Sequence, residues 1–271
     1  MFGICISVVL RHVCVCAAVG ILVAGGFLPA RAMGEELTIA AASDLNFAFK
    51  ELVSPFEKQT GNHVRLTLGS SGNFFSQIQQ DAPFDLYFSA DVRYPEKLIQ
   101  SGHAVAGSLY KYAIGRIVVW APQSSPVQVE KLGMDALLDP SIKKIAIANP
   151  KHAPYGRAAV SAMEHFQVHE RVKDRLVLGE NISQTALFVE SGAADIGIIA
   201  LSLALAPSMK GGGKYWEIPA SAHPPLEQGA VILKTAANVQ GAKAFLEFLK
   251  GAEGRRVMAS YGFVLPAEGP H

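Results

Sequence analysis

Short β-branched or apolar runs alternate along this chain with segments whose apolar residues recur at helical spacing, the pattern of parallel α/β sheets. Predicted strands run from Glu36 to Ala42, Val64 to Leu68, Phe84 to Phe88, Ile117 to Trp120, Lys144 to Ala148, Asp195 to Ala200 and Ala230 to Leu233. Between the first two, Leu45, Phe49, Leu52 and Phe56 form one buried helical face. Pro55 predicts a kink or an early end there, because an interior proline costs ~3 kcal/mol and removes a donor. Further helices are predicted around Phe74, Phe75 and Ile78, over Pro95 to Ile99 with the proline at a first helical position, over Gly156 to Phe166 and over Ser183 to Val189. Gly241 to Gly262 reads as two short helices split at Gly251, and Gly211-Gly212-Gly213 as a mobile loop. One sheet could hold these strands. A break near Tyr112 to Gly115 and a return near Gly229 to Leu233 equally allow two lobes joined by two crossing strands, with a cleft at the strand ends.

Two of the strands run straight into small residues and hydroxyls: Ala40-Ala41-Ala42-Ser43-Asp44 and Leu68-Gly69-Ser70-Ser71-Gly72-Asn73. A strand that ends at a helix N-terminus leaves free backbone N–H groups aimed at one spot, where the helix dipole and hydroxyl donors can hold an anion. Neither run contains a cationic side chain. Facing each other, the two turns would describe a site for a fully ionised oxyanion bound through neutral donors. Plainer readings stand beside this one: Ser43 as a helix N-cap, and Ser70-Ser71-Gly72 as an ordinary turn. Asp44 is expected to cap its own helix or face solvent, since a carboxylate aimed at an anion would repel it.

Residues 1–32 read as a secretory leader: Arg11 and His12 are the basic pair, Cys14 to Leu28 are apolar and small, and Ala30-Arg31-Ala32 has the small-x-small form of a cleavage site. The rival reading, a transmembrane anchor, rests on the length of the apolar stretch. Cys5, Cys14 and Cys16 are all the cysteines and all lie in this segment. The chain from Met33 onward therefore has no disulfide, thiolate metal site or cysteine nucleophile. Removing Arg11 and Arg31 takes the 24 basic residues to 22, against 23 acidic ones, so nothing points to nucleic acid or an anionic membrane surface as partner. Half the residues are apolar, enough for one large domain or two modest ones.

Glu36-Leu37-Thr38-Ile39-Ala40-Ala41-Ala42-Ser43, Gly69-Ser70-Ser71-Gly72, Phe84-Asp85-Leu86-Tyr87-Phe88-Ser89-Ala90-Asp91, Asn149-Pro150-Lys151-His152-Ala153-Pro154-Tyr155-Gly156 and Ser260-Tyr261-Gly262-Phe263 together resemble, in order, the periplasmic molybdate-binding proteins of ABC importers. The resemblance implies an α/β type II periplasmic-binding fold: two lobes, each a mostly parallel sheet flanked by helices, joined by two crossing hinge strands. Residues 1–32 would be the leader, 33–114 and 228–271 the first lobe, and 115–227 the second. Carried over by position, Ser43 and Ser71 match the first-lobe hydroxyl ligands, and Tyr155 and Ile182 match second-lobe backbone N–H donors. Ser70, Asp44, Asn181 and Gly156 are secondary candidates. Some relatives supply a tyrosine hydroxyl where this chain has Ala200, so the fifth ligand differs here, and the Tyr155 ring is the candidate replacement.

The implied function is high-affinity capture of molybdate, and tungstate with it, by a monomer in the periplasm that delivers it to an inner-membrane permease with a cytoplasmic ATPase. Molybdenum would enter only as the bound oxyanion, through Ser43, Ser71, Tyr155 and Ile182, with no separate cofactor. Hydrogen bonds from neutral donors to a charged acceptor contribute ~1.5 to 3 kcal/mol each, so several could hold a buried dianion. A wall of donors without an acceptor would also disfavour a protonated ligand such as hydrogen phosphate. The alternatives are a protein of the same fold taking sulfate, another oxyanion or an organic anion, and an exported hydrolase. The chain has no Gly-x-Ser-x-Gly elbow, His-Glu-x-x-His or P-loop. An organic carboxylate would recruit an arginine fork, for which Arg157 is the candidate, against which stands its place in a helix with the side chain pointing away. His152 reads as a solvated loop residue, and Asp85 and Asp91 as structural carboxylates near the cleft.

Overall fold

The computed structural model describes residues 35–267; the leader reading and the three cysteines lie outside the described residues. Among the described residues, ten strands form two five-stranded sheets. In chain order the first part carries β1 (Glu36–Ala42), α1 (Asn46–Thr60), β2 (His63–Gly69), α2 (Ser71–Ile78), β3 (Leu86–Ser89), α3 (Arg93–Gln100) and β4 (Tyr110–Gly115). The middle carries β5 (Ile117–Pro122), α4 (Val129–Leu132), β6 (Ile145–Ala148), α5 (Pro154–His165), α6 (His169–Val172), β7 (Leu176–Gly179), α7 (Ile182–Glu190), β8 (Ile196–Ala200), α8 (Leu201–Ala204) and β9 (Gly213–Glu217). The chain then returns through β10 (Leu226–Ile232), α9 (Val239–Lys250) and α10 (Ala252–Ser260).

The sheets share one plan. The first runs β2-β1-β3-β10-β4, with β1 parallel to β2 and β3, and β10 antiparallel to both β3 and β4. The second runs β7-β6-β8-β5-β9, with β6 parallel to β7 and β8, and β5 antiparallel to β8 and β9. In each, the antiparallel strand is one that the chain inserts after crossing from the other lobe. Arg116 alone separates β4 from β5, and 218–225 carry the return. The two-lobed α/β expectation holds.

Central strands are the apolar ones because both of their faces are covered. The first core places Phe49, Phe56, Phe88 and Phe245 edge to face, with Tyr112 against Phe88 at 5.4 Å between centroids. The second gathers Trp120, Val119, Ile147, Ile198 and Met163, and it reaches across the cleft to Ala42 and Ala90 of the first lobe.

Several local expectations need correction. α1 runs through Pro55 to Thr60 and stops only at Gly61, whose φ of 76° is the left-handed cap. Its buried face of Ala48, Phe49, Leu52 and Phe56 anchors the helix, while Pro55 sits on a half-buried flank. Pro95 is the third residue of α3, still in the first turn, where an N–H has no intrahelical acceptor to lose. Tyr110–Gly115 is no break but the edge strand β4, and β7 and β9 were also unforeseen. Gly213 belongs not to a loop but to the start of β9, against the Trp120 ring where a Cβ would collide.

Candidate functional site

The C-terminal ends of β1 and β2 lead into Ser43-Asp44 and Ser70-Ser71, and β6 and β7 lead into α5 and α7 of the other lobe. These ends meet. They border a small space of about 10 Å³ lined by Ala42, Ser43, Asp44, Gly69, Ser70, Ser71, Ala90, Ala153, Pro154, Tyr155 and Ile182. Among the described residues, no lysine or arginine lines it. The four residues favoured from sequence, Ser43, Ser71, Tyr155 and Ile182, all do.

The first turns of α2, α5 and α7 converge on this space, and with them come N–H groups that have no partner inside their helices, together with the positive ends of three helix dipoles. Tyr155 and Ile182 occupy the second and first positions of α5 and α7. Pro154 opens α5 at the place where a missing N–H costs nothing. Ser71 is buried; its Oγ accepts the Ala90 N–H at 3.0 Å, which leaves the hydroxyl hydrogen free to be donated elsewhere. The Ser71 carbonyl is held by the Tyr87 hydroxyl at 2.7 Å.

Ser43 does not cap its helix. Its Oγ reaches across the cleft, donating to Asn181 Oδ1 at 3.1 Å and accepting the Ser183 N–H at 3.2 Å, while Ser183 Oγ donates to the Ser43 carbonyl. Asn181 is the N-cap of α7, its Oδ1 also accepting the Gln184 N–H. Ser70 likewise spans the lobes: its hydroxyl donates to the His152 carbonyl at 2.7 Å and meets the His152 ring at 3.0 Å. His152 is therefore a lobe-contact residue rather than a freely solvated one. Gly72 donates its N–H to the same carbonyl, and a Cβ there would stand 2.6 Å from that oxygen. Gly156 does not line the space; it lets α5 approach the Ala148 carbonyl closely.

Asp44 overturns its expectation. It is 1 % exposed, caps no helix and faces no solvent. Its Oδ2 accepts from the Tyr155 hydroxyl at 2.9 Å and from Gln228 Nε2 at 2.7 Å, and Gln228 also donates to the Tyr155 oxygen at 2.9 Å. Oδ1 is buried without a partner. Burial pushes the carboxyl up to about 6, against the lowering effect of the Gln228 and Tyr155 hydrogen bonds. Burial also drives the Tyr155 and Tyr112 phenols well above the ordinary tyrosine range, so both stay neutral. The wall of donors thus contains a carboxyl after all, and the expected bar against a protonated ligand no longer follows from the wall alone. The Tyr155 hydroxyl is spent on Asp44 and Gln228 and is not a free replacement for a missing ligand. Ala200 is buried and does not line the space. Gln228, 184 positions from Asp44, was missed; an isolated glutamine in a strand carries no sequence signal.

Arg157 is no clamp on this space. It pairs with Asp91 of the other lobe at 2.8 Å and lies over the Tyr94 ring. Burial pulls the Asp91 carboxyl upward, but hydrogen bonds from Arg93 and the charges of Arg93 and Arg157 outweigh it and hold that carboxyl below its ordinary value. Asp85 is structural but not near the cleft. It stands before the first residue of β3, binding the Thr38 N–H and hydroxyl and the Asn238 N–H at 2.7 to 2.9 Å.

A small space with neutral donors from both lobes suits a compact anion. Residues 37–264 match the family model described as bacterial extracellular solute-binding protein. The molybdate-binding protein ModA of Rhodobacter capsulatus is 40% identical over 90% of this chain and 93% of its own length, and that of Azotobacter vinelandii is 38% identical over 89% and 94%. The solved Azotobacter vinelandii periplasmic molybdate-binding protein superposes with a TM-score of 0.80 at 34% identity, covering 85% of this chain and 99% of that one. The chain belongs to the bacterial extracellular solute-binding proteins, with their two-lobed type II fold.

Proposed function

We propose that this protein captures molybdate, and tungstate with it, outside the cytoplasm and hands it to an inner-membrane ABC permease driven by a cytoplasmic ATPase. The observation that carries the reading is the space between the lobes, walled by hydroxyls and by the first turns of α2, α5 and α7, with no cationic side chain. The names of the relatives at 40% and 38% identity support the choice of anion. In this reading Ser43, Ser71 and the N–H groups of Tyr155 and Ile182 bond the oxygens, and Ser43 releases Asn181 to do so. The donors come from both lobes, so the ligand favours the closed arrangement, and the hinge strands either side of Arg116 carry the motion. The protein works as a freely diffusing monomer exported by its leader and performs no catalysis.

Calorimetric titration with molybdate, tungstate, sulfate and phosphate tests this. Tight, saturable binding of the first two is expected. Sulfate bound tightly with molybdate ignored would refute the substrate, and silence toward all four would refute the oxyanion site.

A further inference from the structure

Asp44 is left without a role by a site made only of donors. Its Oδ2 is saturated by Tyr155 and Gln228, whereas its Oδ1 is buried and unpartnered, and Asp44 is one of the residues lining the same space. The groups that face it are the Tyr155 phenol from α5, the Gln228 amide from β10, the Tyr112 phenol from β4 and the Ser202 hydroxyl from α8, which holds the Asp44 carbonyl at 2.8 Å. None is charged. The other ionisable groups at the lobe contact, His152, Glu180 and the Asp91–Arg157 pair, form their hydrogen bonds elsewhere.

Resting on the molybdate reading, we propose that Asp44 binds the oxyanion as its neutral acid, donating a hydrogen bond from Oδ1 to a ligand oxygen, so that each fully deprotonated oxyanion captured brings one proton into the site. The two donors on Oδ2 mark that oxygen as the acceptor of the acid and leave the proton to Oδ1. An ionised Asp44 would instead set a buried carboxylate beside a dianion with no cationic side chain lining the space, and it would leave Oδ1 unpaired. Burial raises this carboxyl to about 6 before any anion arrives, which lowers the cost of protonating it when the anion binds. A ligand that carries its own proton, such as hydrogen phosphate, would donate its O–H as a hydrogen bond to ionised Asp44, and no proton would be taken from solvent.

The test is calorimetry with molybdate at about pH 8 in buffers of different ionisation enthalpy, together with affinity across about pH 6.5 to 8.5. Uptake close to one proton is expected, with affinity falling about tenfold per pH unit above the carboxyl's own pKa. Asp44→Asn offers an amide nitrogen to the ligand and an amide oxygen to Tyr155 and Gln228. It should bind molybdate without that slope, and more tightly than the unaltered protein at about pH 8. His152→Gln should keep the slope. No proton uptake, a slope that survives Asp44→Asn, or one that vanishes in His152→Gln would overturn the proposal while leaving the oxyanion reading intact. Failure of the unaltered protein to bind molybdate at any pH would overturn that reading instead.

Discussion

Gly72 tests whether lobe closure makes the site. Its N–H donates to the His152 carbonyl at 2.9 Å, and a Cβ would lie 2.6 Å from that oxygen and 3.0 Å from the His152 Cα and Cβ. The obstacle is largely backbone, so Gly72→Ala cannot be accommodated by turning a side chain; the lobes must separate by several tenths of an ångström. Two hydrogen bonds onto that carbonyl, from Gly72 and Ser70, are then stretched. At about 0.5 to 1.5 kcal/mol each, the closed state loses about 1 to 3 kcal/mol relative to the open one. That converts to an affinity loss of about 5-fold to about 150-fold. The ligand-free protein should not suffer. Gly72 is the second residue of α2 with a negative φ, where alanine favours the helix by about 0.5 to 1 kcal/mol. Molybdate calorimetry alongside thermal unfolding without ligand reads the two effects separately. Weaker binding at unchanged or raised ligand-free stability is expected. Affinity within twofold of the unaltered protein would refute the claim that this contact belongs to the binding state.

Ser71→Ala deletes a hydroxyl whose hydrogen is free toward the space, so molybdate affinity should fall about 10-fold to about 150-fold by calorimetry, the range for a bond to a charged acceptor. Arg157→Ala removes a cross-lobe ion pair that is about a third exposed on the arginine side, and its effect should stay below about 1 kcal/mol, or about 5-fold in affinity; loss of all binding would make Arg157 an anion clamp. Asp44 has a folded-state value of about 6 against 3.8 unfolded, so its contribution to stability is fully present below about pH 3.8 and is lost as pH rises through 6. Asp44→Asn should therefore stabilise the ligand-free closed protein by up to about 3 kcal/mol at about pH 7.5 and much less at about pH 4, measured by denaturant unfolding. Asp85→Ala strands the Thr38 and Asn238 N–H groups and should cost about 2 to 4 kcal/mol of stability while leaving the molybdate affinity of the folded fraction unchanged.

What could be read in advance follows from burial. β1, β3, β5, β6, β8 and β10 have both faces covered, and such strands announce themselves as unbroken apolar runs. β4, β7 and β9 are sheet edges with mixed burial and no regular alternation, and they look like loops, whereas the edge strand β2 was legible because Val64, Leu66 and Leu68 alternate with polar residues. The turns at Ser43 and Ser71 were legible because a strand end, a hydroxyl and a helix start are all local. Which hydroxyls remain free was not. Ser43 and Ser70 are engaged across the cleft by partners 138 and 82 residues away. The misreading of Asp44 came from assigning it the charge of an exposed carboxylate. That charge depends on Tyr155 and Gln228, 111 and 184 residues away, and on burial that exists only once both lobes are in place.

That dependence ties the hinge to the chemistry. Asp44 and Gln228 sit in the first lobe and Tyr155 in the second, so the cluster is complete only when the lobes meet. Gly115, the last residue of β4 before the crossing, lies where a Cβ would strike the Tyr155 hydroxyl and Gln228 Nε2, so the hinge itself leaves room for the cluster. On opening, Tyr155 withdraws, water reaches Asp44, and the cause that raised its pKa is removed. Closure should thus draw a proton onto Asp44 even before the anion is counted, and deprotonation at high pH should favour the open state. Small-angle scattering of the ligand-free protein would show this as a radius of gyration that rises with pH in the unaltered chain and stays level in Asp44→Asn. A radius that rises equally in both would detach the carboxyl from the motion.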